Sequence, residues 1–176
     1  MDADGFVTAA RDGHIDEVRR GLGQGLVDIQ NEYGNTAMMH AAENGKIDIV
    51  KLLVSKGGNP DIQNKYGSTA MICAANNGKI DIVELLISKG GNPDIQNKDG
   101  NTAMIRAAMY GMIDIVELLI SRGGNPDIQN ENGYTAMIYA ANNGHIDIVE
   151  LLISRGGNPD IQNEDCLLYT SDAADE

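Results

Sequence analysis

The side chains best suited to metal binding or nucleophilic catalysis in this chain are its histidines and cysteines. His14, His40 and His145 lie far apart and lack the spacing of a metal site. Cys73 and Cys166 have neither metal-ligand nor disulfide spacing, which fits a reducing compartment. Catalysis requires unlike groups that converge on one point, and the sequence shows no such constellation. We therefore predict a protein that is not an enzyme and that holds no metal or cofactor.

The carboxylates recur at a fixed interval instead of gathering in one place. The tetrapeptide Asp-Ile-Gln-Asn returns every 33 residues, beginning at Asp28, Asp61, Asp94, Asp127 and Asp160. A period of this length is typical of a stacked array, in which equivalent residues are spread along the molecule. The recurrence therefore favours a structural role for these residues over a catalytic one.

Each full repeat is predicted to contain two helices and an extended loop. In the third one, Thr102 is a suitable N-cap for a short first helix, which Gly111 ends in a left-handed conformation. The apolar pattern of 113–119 predicts the second helix, and Gly123 and Gly124 stop it. The loops are predicted to turn at glycines with positive φ: Gly34, Gly67, Gly100 and Gly133. No single helix pair can bury its own apolar face, so stability should lie at the interfaces between repeats.

The period also predicts the domain boundaries. Residues 1–27 match the later units only in part, and we interpret them as an N-terminal capping repeat. Four full repeats follow, numbered 1 to 4 from here on: 28–60, 61–93, 94–126 and 127–159. Residues 160–165 begin a further, truncated repeat.

The landmarks of each full unit resemble the ankyrin repeat, whose pattern is a loop Gly, T-P-L-H, A-A, G-H and I-V-x-x-L-L. The resemblance covers about residues 5–163. It implies an all-α solenoid of stacked helix-turn-helix repeats of 33 residues, with extended β-turn or hairpin loops. One departure is systematic: where the family has T-P-L-H, this chain has T-A-M followed by Met39, Ile72, Ile105 or Ile138. The expected cost is a lost Thr–His hydrogen-bond network, offset by apolar burial.

The last segment, 166–176, does not match any part of the repeat. Its sequence CLLYTSDAADE resembles the in-frame translation of a transposase-type sequencing adapter. The alternative is a natural acidic tail that is disordered for want of apolar residues. We favour the adapter and predict that the segment is not native.

Composition limits the classes of partner. The net charge of −13 argues against nucleic acid and against an anionic membrane surface, since both need clustered Lys and Arg. The sequence has neither a signal peptide nor an apolar run of membrane-spanning length. We expect a cytoplasmic monomer, and export to a host stays an alternative.

The variation between repeats gathers at the loop tips and on one face of the first helix. In the ankyrin family these positions line a concave groove that binds other proteins. Tyrosine is enriched there, as it is in interface hot spots. The resemblance thus implies a set of partner-binding residues: Tyr33, Asn35, His40, Asn44, Tyr66, Ser68, Asn76, Asn77, Asp99, Asn101, Arg106, Met109, Tyr110, Asn132, Tyr134, Tyr139, Asn142 and Asn143.

From this pattern we predict a non-enzymatic module that binds a partner protein through the groove. Arg106, Met109 and Tyr110 break the Asn-rich pattern most, which makes repeat 3 the candidate anchor. Two alternatives stay open. The array could be a structural spacer in a longer, truncated protein, or a regulatory array such as a host-directed effector or an enzyme-linked regulator.

Overall fold

The computed structural model describes residues 1–163, so the predicted non-native segment lies outside the described residues. Residues 1–163 form ten α-helices and no strand. The helices are α1 (Ala3–Asp12), α2 (Ile15–Gly23), α3 (Ala37–Glu43), α4 (Ile47–Ser55), α5 (Ala70–Asn76), α6 (Ile80–Ser88), α7 (Ala103–Met109), α8 (Ile113–Ser121), α9 (Ala136–Asn142) and α10 (Ile146–Ser154). Consecutive helices pack in pairs, and each pair contacts its neighbours, which confirms the predicted all-α solenoid.

The helices form two rows. The first helices of the pairs (α1, α3, α5, α7, α9) stack on one another, and so do the second helices. Contacts within the first row are more extensive, because its helices carry fully buried alanines such as Ala107 and Ala108. Small side chains let two backbones approach closely without leaving a void. Closer spacing within one row is expected to curve a stacked array toward that row, and we therefore call the side of the first helices the inner side.

The first helix of each repeat begins at the predicted threonine. In repeat 3, Thr102 has an extended conformation, and its hydroxyl accepts a hydrogen bond from the N–H of Ile105 at 3.2 Å. Gly111 follows the helix with a φ of 72°, which is the predicted left-handed conformation. The equivalent caps are Thr36, Thr69 and Thr135.

Two glycines follow the second helix for two different reasons. After α8, Gly123 has a φ of 90° and open space where a side chain would lie. A Cβ at Gly124 would instead lie 3.0 Å from both the carbonyl oxygen of Leu119 and the Cε of Met104. The first glycine therefore serves the backbone turn, while the second makes room for core packing.

The apolar residues that depart from the ankyrin pattern are buried. Met39, Ile72, Ile105 and Ile138 expose 2%, 4%, 1% and 4% of their surface. The threonine caps persist beside them. The departure thus adds apolar burial to the stack. Each Å² of apolar area removed from water stabilises the folded state by about 25 cal/mol.

The repeated Asp-Ile-Gln-Asn segment links each loop to the next. The carboxylate of Asp94 accepts a hydrogen bond from the backbone N–H of Asn125 at 2.9 Å. The amide of Gln96 donates to the carbonyl of Gly100 at 2.7 Å and to that of Gln129 at 2.9 Å. The same bonds recur at the other junctions, from Asp28, Asp61 and Asp127 and from Gln30, Gln63 and Gln129. These side chains therefore recur because they join neighbouring repeats.

The last residue of the segment shapes the loop itself. The side-chain oxygen of Asn97 accepts hydrogen bonds from the backbone N–H groups of Asp99 at 3.1 Å and Asn101 at 2.8 Å. Asparagine favours such turns, because its side chain replaces a backbone acceptor. The turned loop then bonds the next one, since the N–H of Glu131 donates to the carbonyl of Asp99 at 3.1 Å.

Substitution of Gln96 tests this link. We expect Gln96→Ala to lower the free energy of unfolding by about 1 kcal/mol, the usual net value of such hydrogen bonds. Gln96→Glu should cost about 2 kcal/mol, because a carboxylate can only accept and would face two carbonyl oxygens. Urea unfolding followed by circular dichroism measures both effects. Lys98→Ala, an exposed neighbour, is the control, and equal stability of the three variants would contradict the assignment.

Candidate protein-binding surface

The predicted contact residues lie on the loop tips and on the first helices, and we call these two regions together the inner surface. Each loop takes the number of its repeat. Loop tip and helix adjoin, because the side chain of Asn130 in loop 4 donates to the hydroxyl of Tyr139 on α9 at 3.0 Å. The exposed members are Tyr33, Asn44, Tyr66, Asn77, Asp99, Tyr110, Asn132, Asn142 and Asn143. The partly buried ones are Asn35, His40, Ser68, Asn76, Arg106, Met109, Tyr134 and Tyr139.

Asn101 is different, because it is 4% exposed and belongs to the packing between loops. The amide of Asn130 donates to its side-chain oxygen at 3.0 Å. Asn64 and Asn35 form the equivalent bond at 2.7 Å. The expectation that Asn101 lies at the surface is therefore wrong. Its side chain joins repeat 3 to repeat 4 and is not available to a partner.

Two of the five tyrosines in the described part of the chain also have structural contacts. The rings of Tyr134 and Tyr139 lie 4.9 Å apart at an angle of 36°. Tyr139 is partly buried and packs against the hydrophobic core. The remaining three, Tyr33, Tyr66 and Tyr110, are 52%, 62% and 50% exposed. They are the most exposed aromatic side chains of the inner surface.

Arg106 is held by several neighbours at the centre of the inner surface. Its Nε–H donates to the side-chain oxygen of Asn76 at 2.8 Å, and its Nη2 donates to the Tyr110 hydroxyl at 3.2 Å. The guanidinium carbon lies 5.3 Å from the centre of the Tyr110 ring. Asn143 of repeat 4 donates to the carbonyl of Met109 at 3.2 Å. Residues of three consecutive repeats are therefore linked through Arg106 and the neighbouring Met109.

Cys73 occupies the position on α5 that Arg106 occupies on α7. Burial, together with the nearby Glu43 carboxylate, raises the pKa of the Cys73 thiol to about 12. The thiol is therefore protonated at neutral pH, and a protonated thiol is a poor nucleophile. At the equivalent position on α3, the Nδ1 of His40 lies 3.3 Å from the Glu43 carboxylate. That nitrogen has no aligned hydrogen-bond partner among the described residues.

The N-terminal unit contributes to the inner surface as well. Ala9 and Ala10 align with Ala41 and Ala42, so Arg11 and Asp12 take the positions of Glu43 and Asn44. Arg11 and Asp12 are exposed and form an ion pair at 2.8 Å, whose hydrogen bond lowers the pKa of the Asp12 carboxyl. The sequence-based set missed both residues, although the alignment of the alanine pairs identifies them.

The described part of the chain has neither a metal-binding cluster nor a helix that could span a membrane. Among residues 1–163, no group of three or more His, Cys, Asp or Glu side chains is placed to hold a metal ion. No helix in the same part of the chain combines the length and apolar character that crossing a membrane requires.

Comparison with protein families identifies the repeat. A family model described as ankyrin repeats, in three copies, matches residues 6–97 and 71–165. No curated protein matches the chain. Ankyrin repeats are generally protein–protein interaction modules and are typically not enzymes. Since the two matched ranges together span most of the sequence, the chain belongs to the ankyrin repeat family.

Proposed function

We propose that this chain binds a partner protein through its inner surface. The observation that carries the proposal is the set of half-exposed tyrosines, Tyr33, Tyr66 and Tyr110. Exposed aromatic side chains that gather on one surface are typical of interaction sites. Tyrosine supplies a large contact area and a polar tip, and it loses little conformational entropy on binding.

The contrast between core positions and the helix positions on the inner side supports this proposal. Core positions have the same residue type in every repeat, as at Leu53, Leu86, Leu119 and Leu152. The helix position that faces the inner side has instead four different residues: His40, Cys73, Arg106 and Tyr139. Packing requires the first set to be alike. The second set differs in every repeat, and such variation along a rigid surface suits the irregular surface of one partner.

Affinity capture from a cell extract tests the proposal. Wild-type protein is compared with the double variant Tyr66→Ala/Tyr110→Ala, which removes two aromatic side chains at little cost to the core. Ile80→Ala is the matched control, because Ile80 is 40% exposed but lies on a second helix. We expect at least one protein to be retained by wild type and control and to be recovered about tenfold less by the double variant.

Equal recovery of every protein by all three forms would contradict the proposal. Far-ultraviolet circular dichroism of each form shows whether the helices are intact, so that a loss of binding is not caused by unfolding.

A further inference from the structure

We propose that Arg106 anchors the partner by binding one of its carboxylate side chains. This inference rests on the proposed function, because it names the chemistry that the inner surface recognises. The side chain lies between the exposed Tyr110 and the partly buried Asn76, within reach of a bound protein.

Every group that holds the guanidinium of Arg106 is neutral. Asn76 accepts through its amide oxygen, Tyr110 through its hydroxyl, and the sulfur of Met109 lies 3.9 Å from Nη1. Within residues 1–163, no carboxylate lies within ion-pair distance of this guanidinium. The neutral partners fix the orientation of the side chain and leave its charge uncompensated.

The other hydrogen-bonded arginines of the described chain each pair with a carboxylate. Arg122 pairs with Glu84 at 3.0 Å, and Arg155 pairs with Glu117 at 2.8 Å. Arg11 likewise pairs with Asp12. In a chain of net charge −13, a guanidinium is readily matched by an acidic neighbour. That the oriented Arg106 lacks one indicates that the counter-ion comes from the partner.

The donors of Arg106 that remain unused fit a carboxylate. Each terminal nitrogen carries a pair of N–H groups, and within residues 1–163 each makes a single contact, Nη1 to Met109 and Nη2 to Tyr110. One N–H on each nitrogen is therefore left, and two such donors match the two oxygens of a carboxylate. A doubly charged phosphate fits less well, because only one cation is oriented here in a strongly acidic chain.

Contacts between three repeats order this site and its surroundings before the partner arrives. Asn76 belongs to repeat 2, Arg106 to repeat 3, and Asn143 of repeat 4 holds the carbonyl of Met109. A side chain that is already oriented loses less conformational entropy when it binds. Stacking of the repeats thus supplies the rigidity that a single helix pair would lack.

In the experiment, a library of displayed peptides of about twelve residues is selected for binding to the full wild-type chain. We expect the enriched peptides to share an Asp or Glu at one position. Arg106→Gln should weaken their binding about tenfold or more, because a charge-assisted pair is lost. Arg106→Lys should also weaken it several-fold, since an ammonium group cannot form two parallel bonds. Arg122→Gln, which removes an arginine of the second helices, is the control and should leave binding unchanged.

A double-mutant cycle locates the contact. Replacing the shared Asp or Glu of the peptide with Asn or Gln should weaken its binding to the wild-type protein. The same replacement should not weaken its binding to Arg106→Gln any further. Peptides that need Tyr66 but bind Arg106→Gln as tightly as wild type would overturn the carboxylate anchor and leave the proposed function intact. Peptides that tolerate both Tyr66→Ala and Arg106→Gln, or no enrichment at all, would count against both. Tighter binding of a phosphoserine version of the peptide would overturn the choice of a carboxylate.

Discussion

Gly100→Ala is expected to lower the free energy of unfolding by about 3 kcal/mol, because two penalties act together. Gly100 has a φ of 77°, which an L-residue adopts only with strain. A Cβ there would also lie 2.6 Å from the backbone nitrogen of Glu131 and 2.7 Å from the Cα of Asn130. Backbone of the next repeat cannot move aside as a flexible side chain can. Urea unfolding monitored by circular dichroism measures the loss.

Gly123→Ala separates the two penalties. This glycine has a φ of 90°, but a Cβ would meet nothing within 4 Å. Only the backbone strain applies there, so the expected loss is about 1 kcal/mol. If both variants lost the same amount of stability, the close approach of loop 3 to loop 4 would not contribute, and the account of Gly100 would be wrong.

Leu119→Ala is expected to cost about 3 kcal/mol, which lies within the usual range for truncation of a buried leucine. Leu119 is 0% exposed and lies on α8, at the interface where the helix pair of repeat 3 meets its neighbours. Since a stacked array has no other core, the cavity weakens contacts on both sides of the repeat. The midpoint of urea unfolding should fall accordingly.

The adjacent residue is the matched control. Leu118 is only partly buried on the same helix, so Leu118→Ala should cost about 1 kcal/mol. An equal loss from both variants would mean that helix propensity, and not burial, determines the stability of α8.

The sequence predicted the helices well, because their signals are local. Thr102 caps α7 through a bond to a residue three positions later, and Gly111 ends the helix through its own backbone angle. Such effects depend on neighbours along the chain and can be read without knowing the fold. Each local signal also recurs at the fixed period, since every full repeat has the same threonine cap and the same glycine after its first helix.

The candidate surface was predicted less completely. Variation between repeats located it, yet that criterion includes Asn101, which is buried in the loop stack, and Tyr139, which packs against the core. Both side chains gain their contacts from Asn130 or from residues around it. A residue that differs between repeats can differ because its packing partner differs, and the sequence does not show which partner that is.

The sequence by itself thus determined the two helices of each full repeat, the threonine caps of the first helices, the loop glycines and the ankyrin family, because these follow from local chemistry repeated at a fixed period. Only the tertiary structure decided what the recurring Asp and Gln residues do. Only it brought Arg106 to Asn76, with no carboxylate of the described residues paired to the arginine. These contacts join residues about one repeat apart along the chain. Their geometry is set by the stacking of one repeat on the next, and that stacking is a property of the whole array.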